Sequence, residues 1–247
     1  LVRETGARGA VSITAGHNNA NWNALTFINQ DGTYLNEFQG GEILDIYHLE
    51  RFHKAPVTRL GRTKSLTGYL DAYFKSLAAF LDEDAIRKAG FTIVVDSCNG
   101  AGAGVVDRMC ESLGCTLVPV NNTPTGFFPH DPEPRPRNAG EVSSITKLAG
   151  ASAGFLLSSD VGRISIVAEN GETLSEEYAL PLIADYYLDK HPGPLVTNQS
   201  TSRMIEDVVD RRGQPIVRAK VGQSHIIQAM LADESGLAAA GSGGAAV

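Results

Sequence analysis

Apolar and polar positions along the chain fall into short strand-like runs separated by longer helical ones. Residues 9–15, GAVSITA, alternate and are rich in β-branched side chains, which predicts a strand. The run empties into Gly16-His17-Asn18-Asn19-Ala20-Asn21-Trp22-Asn23, and LTFIN (25–29) then predicts a second strand ending at an Asp31-Gly32 turn. Residues 37–52 read as a helix with Ile43, Leu44, Ile46, Tyr47 and Leu49 on one side. A basic connector from His53 to Lys64, with Pro56 and Gly61, marks a domain boundary. From Ser65 a second helix repeats Leu66, Leu70, Tyr73, Phe74, Leu77 and Phe80-Leu81 at intervals of three to four residues.

The most regular stretch follows. FTIVVD (91–96) is a continuous apolar run of the kind buried on both faces of a sheet. A glycine-rich loop, a helix over 105–113 and a second strand over 115–120 complete a β-α-β unit, so the two strands are expected to run parallel. Residues 121–138 hold five prolines and are expected to be irregular. A helix over 139–149 leads to a strand–loop–strand at 154–172. Here Ile164, Ile166 and Ala168 share one face, Ser165 and Val167 the other, and Asn170-Gly171 supplies the positive-φ pair of a tight hairpin. The remainder alternates: helix 173–190, strand 195–200, helix 201–212, strand 215–222 and helix 224–232. Strands alternating with helices place the fold in the α/β class.

A length of 247 residues suits one large or two small domains, at roughly 150 residues each. The net charge of −7 argues against a general nucleic-acid or membrane binder, since both need a basic field. No apolar run reaches the ~18 residues of a membrane span. Three cysteines, Cys98, Cys110 and Cys115, with no CxxC pair, read as reduced thiols of a cytoplasmic protein. Both ends read as cut: the chain opens in an amphipathic segment without a methionine and closes on GSGGAAV, a loop entering a new element. No repeat occurs at the short solenoid periods.

Two loops invite chemistry. Gly100-x-Gly102 lacks the third glycine of a dinucleotide loop and the Lys-Ser/Thr of a phosphate loop, so close packing on the helix start is the expected use. Ser158-Ser159-Asp160-Val161-Gly162-Arg163 puts a carboxylate and an arginine at the tip of two strands, which suits a metal or phosphate site or, equally, a solvated surface loop. The Asn-rich loop after residue 15 suits oxyanion capture or a plain turn.

Together these segments resemble the α-D-phosphohexomutase superfamily of phosphoglucomutases, phosphomannomutases and phosphoglucosamine mutases. Thr14-Ala15-Gly16-His17-Asn18 with Asn23 is similar to the TASHNP…NG phosphoserine loop. VVDSCNGAGAGVV (94–106) resembles the V-D-x-x-N-G-A-G segment, and GFFPHDPEPRPRN (126–138) the F-P…P-E-P…N segment. Ser158–Arg163 followed by Glu169-Asn170-Gly171 resembles the DGDGDR metal loop with its trailing turn. Lys220-Val221-Gly222 resembles a T-x-V-G turn, and Gly241–Ala246 falls at the sugar-binding GEESGH loop. The resemblance implies repeated α/β domains with mixed sheets, incomplete at both ends. Residues 1–62 would be the C-terminal half of domain 1, 63–170 domain 2, and 171–247 the N-terminal part of domain 3. Domain 4 would be absent from this chain.

Family members move a phosphoryl group between a phosphoserine and hexose O1 and O6, with Mg²⁺ held by three aspartates. In this sequence Gly16 stands at the serine position, and Ser158, Asp160 and Gly162 at the metal positions. Ser242 and Gly244 stand in the sugar loop, with Ala24 and Thr26 at the glycine and lysine positions of the serine loop. One carboxylate is weak for a hard divalent ion, so Mg²⁺ is expected to be weak or absent. His17 remains beside Gly16 at the catalytic position, and Asn18, Arg163 and Lys220 remain, with Ser242 and Gly244, as phosphate- and sugar-binding residues, Arg163 being suited to bidentate pairing. The expectation is a catalytically impaired phosphohexomutase-family protein of carbohydrate metabolism. Its role would be a phosphosugar-binding or regulatory module, with hexose phosphate as ligand and, by analogy, a sugar-phosphate nucleotidyltransferase as partner or fusion. The alternatives are an active mutase interconverting hexose 1-phosphate and hexose 6-phosphate, and a structural piece without a ligand.

Overall fold

The computed structural model describes residues 1–241 and 245–247. In chain order the elements begin with α1 (Val2–Thr5), β1 (Gly9–Ile13), β2 (Leu25–Asn29), α2 (Glu37–His48), α3 (Tyr69–Ala78) and α4 (Glu83–Ala89). They continue with β3 (Thr92–Asp96), α5 (Val105–Ser112), β4 (Thr116–Val120), α6 (Gly140–Leu148), β5 (Ala153–Leu157) and β6 (Ile164–Ala168). The last are α7 (Ala179–Lys190), β7 (Leu195–Asn198), α8 (Met204–Arg211), β8 (Ile216–Ala219), α9 (Gln223–Ala232), β9 (Leu237–Ala239) and β10 (Ala245–Ala246).

Among the described residues the strands form three sheets. The middle one runs β4-β3-β5-β6, with β3 parallel to both β4 and β5, and β6 antiparallel to β5. The last runs β8-β7-β9-β10 with the same senses in the same order. The fold is therefore α/β with repeated units and mixed sheets. The antiparallel pair β1-β2 matches the β5-β6 pair. Ile28 bridges Tyr34 around Gly32, and Val167 bridges Thr173 around Gly171. The outer edge of β1 meets no further strand among the described residues, and Val11, Ile13 and Leu25 are exposed.

Each four-stranded sheet is buried on both faces. Val94, Leu156 and Val167 pack with Val142 of α6 on one side of the middle sheet, while Val95 and Leu157 pack with Val106 and Cys110 of α5 on the other. In the last sheet Leu195 and Leu237 meet α7 and α8, whereas Val196 and Ala238 meet Ile226 of α9. The strict alternation along each strand sorts neighbouring residues to opposite layers. Val94, Val142, Leu156, Val196 and Leu237 are almost wholly removed from water, each contributing roughly 1.5–3 kcal/mol.

Several boundaries move relative to the sequence pattern. The helix expected over 173–190 begins at Ala179, because Thr173 and Leu174 are still paired to β6 and Ser175 caps a 3₁₀ turn first. The hairpin turn uses Gly171 alone at positive φ, since the Asn170 side chain instead accepts from Glu172 N–H at 2.8 Å. The helix expected from Ser65 starts at Tyr69 after Gly68 (φ 74°), and its extension is replaced by α4, capped by Asp82. The helix expected over 37–52 stops at His48, two residues before Glu50 at positive φ. No helix among the described residues is long and apolar enough to cross a membrane.

Candidate functional site

Four loops meet beyond the C-terminal ends of β3 and β5, where parallel sheets present ligands. They are 14–24 between β1 and β2, 97–104 after β3, 121–138 after β4, and 158–163 between β5 and β6. The glycines after β3 hold the last of these loops close. A methyl group on Gly100 would lie 2.3 Å from Ser159 O, and Ala101 N–H donates to that oxygen at 2.8 Å. Gly102 abuts Leu157 and Val161. These glycines therefore pack against the 158–163 loop rather than only against the helix start.

The loop keeps its strand–loop–strand shape through internal bonds. Ser158, fully buried, donates from Oγ to Asp160 Oδ1 at 2.6 Å and accepts from Arg163 N–H at 2.9 Å. Asp160 Oδ1 also accepts from Gly162 N–H at 3.0 Å. A side chain on Gly162 would begin 2.9 Å from Asp160 Oδ2, so the carboxylate has folded into room that a side chain there would need. Val161, at the second glycine of the DGDGDR pattern, retains φ 61°, a backbone that a β-branched residue adopts only under strain.

Gly16 faces this loop. Ser159 Oγ donates to its carbonyl at 3.2 Å, and a side chain on Gly16 would begin 3.7 Å from Asp160 Oδ2. Thr14 Oγ1 accepts from Gly16 N–H at 3.0 Å. No group of three or more acidic, histidine or cysteine side chains among the described residues converges on one point. Asp160, the single carboxylate of the loop, is already bonded to the loop's own donors. This donor set does not fit a hard divalent ion, which takes several oxygen ligands.

The open cleft beside these loops has a volume of about 830 Å³ and is lined by His17, Asn18, Asn19 and Asn21 on one side and by Phe127, His130, Glu133 and Arg135 on the other. Glu133 gathers two arginines and a histidine. Its Oε1 lies 2.9 Å from Arg163 Nη1 and 4.0 Å from His17 Nε2, and its Oε2 lies 2.5 Å from Arg135 Nε. Below the cleft, His130 Nε2 stands 3.1 Å from Oδ2 of the buried Asp96, and its Nδ1 stands 2.9 Å from the Asp131 carbonyl. Both partners are acceptors, so both ring nitrogens carry protons. The His130 pKa is pushed up to about 11, first by the Asp96 carboxylate and then by Cys98 Sγ, against the opposing effect of burial. Asp96 also accepts from Cys98 N–H and from Asn121 Nδ2, each at 2.8 Å. The ion pair thus ties the proline-rich segment to the end of β3.

Of the residues anticipated from sequence, the structure brings together Gly16, His17, Asn18, Ser158, Asp160, Gly162 and Arg163. Lys220 is exposed after β8 and is not among the residues lining the cleft. Ser242 and Gly244 lie outside the described residues. Glu133, Arg135, Asp96 and His130 were not singled out individually, although they sit in the two runs 94–106 and 126–138 that carry the resemblance. Arg135 pairs locally with Glu133, but the Glu133–Arg163 and His130–Asp96 pairs span long sequence separations, which no local pattern encodes. Cys98, Cys110 and Cys115 are free thiols, and burial pushes the Cys110 thiol up to about 11.

Repeated sheets of order 2-1-3-4 with loops gathered over one cleft define a phosphohexomutase-type α/β fold. A family model described as phosphoglucomutase/phosphomannomutase, alpha/beta/alpha domain II, matches residues 71–171, and the corresponding domain III model matches 175–247. The chain belongs to the α-D-phosphohexomutase superfamily. It is 30% identical over 240 residues to a phosphoglucomutase/phosphomannomutase of Thermococcus kodakarensis, covering 96% of this chain and 52% of that protein. A solved chain from Thermus thermophilus superposes with a TM-score of 0.85 at 23% identity, covering 99% of this chain and 56% of that one. A phosphoglucomutase/phosphomannomutase family protein of Burkholderia thailandensis superposes at 0.77 with 23% identity, over 96% of this chain and 50% of that one. The chain spans about half the length of the curated relatives it matches.

Proposed function

We propose that this chain is a phosphosugar-binding module of its superfamily in which phosphoryl transfer is lost. Residues 1–62, 63–170 and 171–247 would be its successive domain portions. The reading is carried by one observation: the last carboxylate of the metal loop, Asp160, is bonded to Ser158 and Gly162, opposite a Gly16 that has no nucleophile. A transferring phosphoryl group needs an attacking oxygen and neutralised charge, and this corner supplies neither from the expected positions. Binding is supported by Arg135, by the His17, Asn18, Asn19 and Asn21 side chains and by the Phe127 ring in the cleft wall, with Arg163 beside it through their shared partner Glu133. Amide groups and an aromatic face suit a hexose, and guanidinium groups suit its phosphate. The role that fits is regulatory, in a cytoplasmic setting, with a sugar-phosphate nucleotidyltransferase as the partner class by analogy.

The test is a coupled assay with glucose 1-phosphate or mannose 1-phosphate, Mg²⁺ and hexose bisphosphate, beside calorimetric titration of the same monophosphates. Binding without turnover is expected. Turnover that Asp160→Ala abolishes would overturn this reading.

A second reading, an active mutase, draws on Ser159, whose hydroxyl rests against the Gly16 backbone. It requires phosphate from labelled hexose 1,6-bisphosphate to become covalently attached, with Ser159→Ala removing the label.

A further inference from the structure

We propose that Arg135 and Arg163 form a two-arginine clamp for a phosphate monoester, and that Glu133 occupies this clamp as an internal substitute for the anion. The inference rests on the phosphosugar reading and adds how that same site is gated. Both oxygens of Glu133 are engaged, one by Arg163 at 2.9 Å and one by Arg135 at 2.5 Å, with His17 at 4.0 Å from the first. Two oxygens of a phosphate can be held by the same pair of guanidinium groups. Arg135 sits at no named position of the F-P…P-E-P…N pattern, so it is a cation beyond those that the resemblance carries.

The backbone that bears Glu133 is anchored. Pro132 and Pro134 are buried, Asn138 Nδ2 donates to Glu133 O at 2.8 Å, and His130 fastens the preceding residues to Asp96. The side chains are not. The exposures of Arg163 and Arg135 are 31% and 47%, against 20% for Glu133. Vacating the clamp therefore needs a side-chain rotation and no movement of the loop. Ion pairs at this exposure are weak, and a phosphate dianion brings twice the charge of the carboxylate with an oxygen to spare for His17. Of the other carboxylates nearby, Asp131 lies towards Arg137 at 3.5 Å and Asp160 is bonded within its own loop, while Glu176 acts on Arg135 only through its charge, without a direct ion pair. Glu133 accordingly selects by charge. A dianionic sugar phosphate displaces it, whereas a sugar acid with one negative charge gains nothing over the carboxylate already in place.

The experiment is titration calorimetry of the full chain with glucose 1-phosphate and with glucuronate, comparing the unmodified protein, Glu133→Gln and Arg135→Ala, each checked for an unchanged circular dichroism spectrum. Glu133→Gln should bind glucose 1-phosphate about tenfold more tightly and should acquire measurable glucuronate binding. Arg135→Ala should weaken glucose 1-phosphate by about tenfold. If the unmodified chain binds glucose 1-phosphate and Glu133→Gln binds it equally or less tightly, the clamp proposal is wrong while the phosphosugar reading stands. If neither protein binds either ligand at millimolar concentration, both fall.

Discussion

The Ser158 hydroxyl donates to Asp160 Oδ1 at 2.6 Å, and this bond closes the loop on itself. With Gly162 N–H as a second donor, the carboxylate is satisfied without a cation. Thermal unfolding should therefore be the same in Mg²⁺ and in chelator. A Ser158→Asp/Gly162→Asp variant reverses this. It buries a second carboxylate at a fully enclosed position and crowds a third against Asp160, which is costly without a counter-ion. Its melting temperature should fall in chelator and recover in millimolar Mg²⁺. Equal melting of the variant in both buffers would contradict the argument.

Val161 holds φ 61° at a position where only glycine is free of strain. The cost is about 1–3 kcal/mol for such a residue, partly offset by the contact its Cγ2 makes near Gly102. Val161→Gly should stabilise the chain by about 1 kcal/mol, read as a melting temperature higher by about 2–4 °C. A lower melting temperature would mean that the packing contact outweighs the strain.

Gly154 lies where α6 crosses β5. A methyl group there would fall 2.3 Å from Thr146 Oγ1 and 2.7 Å from Val142 Cγ1. Gly154→Ala should destabilise by about 1–3 kcal/mol in urea. Thr146 Oγ1 is buried without a hydrogen-bond partner, so Thr146→Ala removes the closest clash at little cost. The double variant should regain part of the loss, a coupling that a double-mutant cycle measures. Strict additivity would argue against the clash.

The His130–Asp96 pair makes stability depend on pH. The folded pKa is raised from 6.5 to about 11, so the folded chain keeps a proton that the unfolded chain has released in between. The contribution is complete below pH 6.5, declines as pH rises, and is gone above about 11. The slope is at most about 1.4 kcal/mol per pH unit. Urea midpoints should fall between pH 6 and pH 9, and His130→Asn should flatten that fall. A flat profile in the unmodified chain would remove the imidazolium from the account.

Much of the fold was legible because burial on both faces of a parallel sheet leaves continuous apolar runs. FTIVVD and the helix after it gave the β-α-β unit, and the loop at 158–163 was recognisable from its flanking strands. Helix starts were less legible. Thr173 and Ser65 both lie in helix-compatible sequence, yet a bridge to Val167 claims the first and Gly68 breaks the second. Glu133 and Arg135 read only as charges in a proline-rich stretch.

By itself the sequence determined the α/β alternation, the superfamily resemblance and the residues standing at Gly16, Ser158 and Gly162, since these depend on side-chain type and local spacing. Only the tertiary structure decided three things. It revealed the common order of the two sheets, which pairing between distant strands creates. It folded Asp160 into the space over Gly162. It also brought Arg163 to Glu133 and His130 to Asp96, residues about thirty positions apart in each case. Periodicity specifies which face of an element is buried, and the partner across the cleft is set by how those faces pack together.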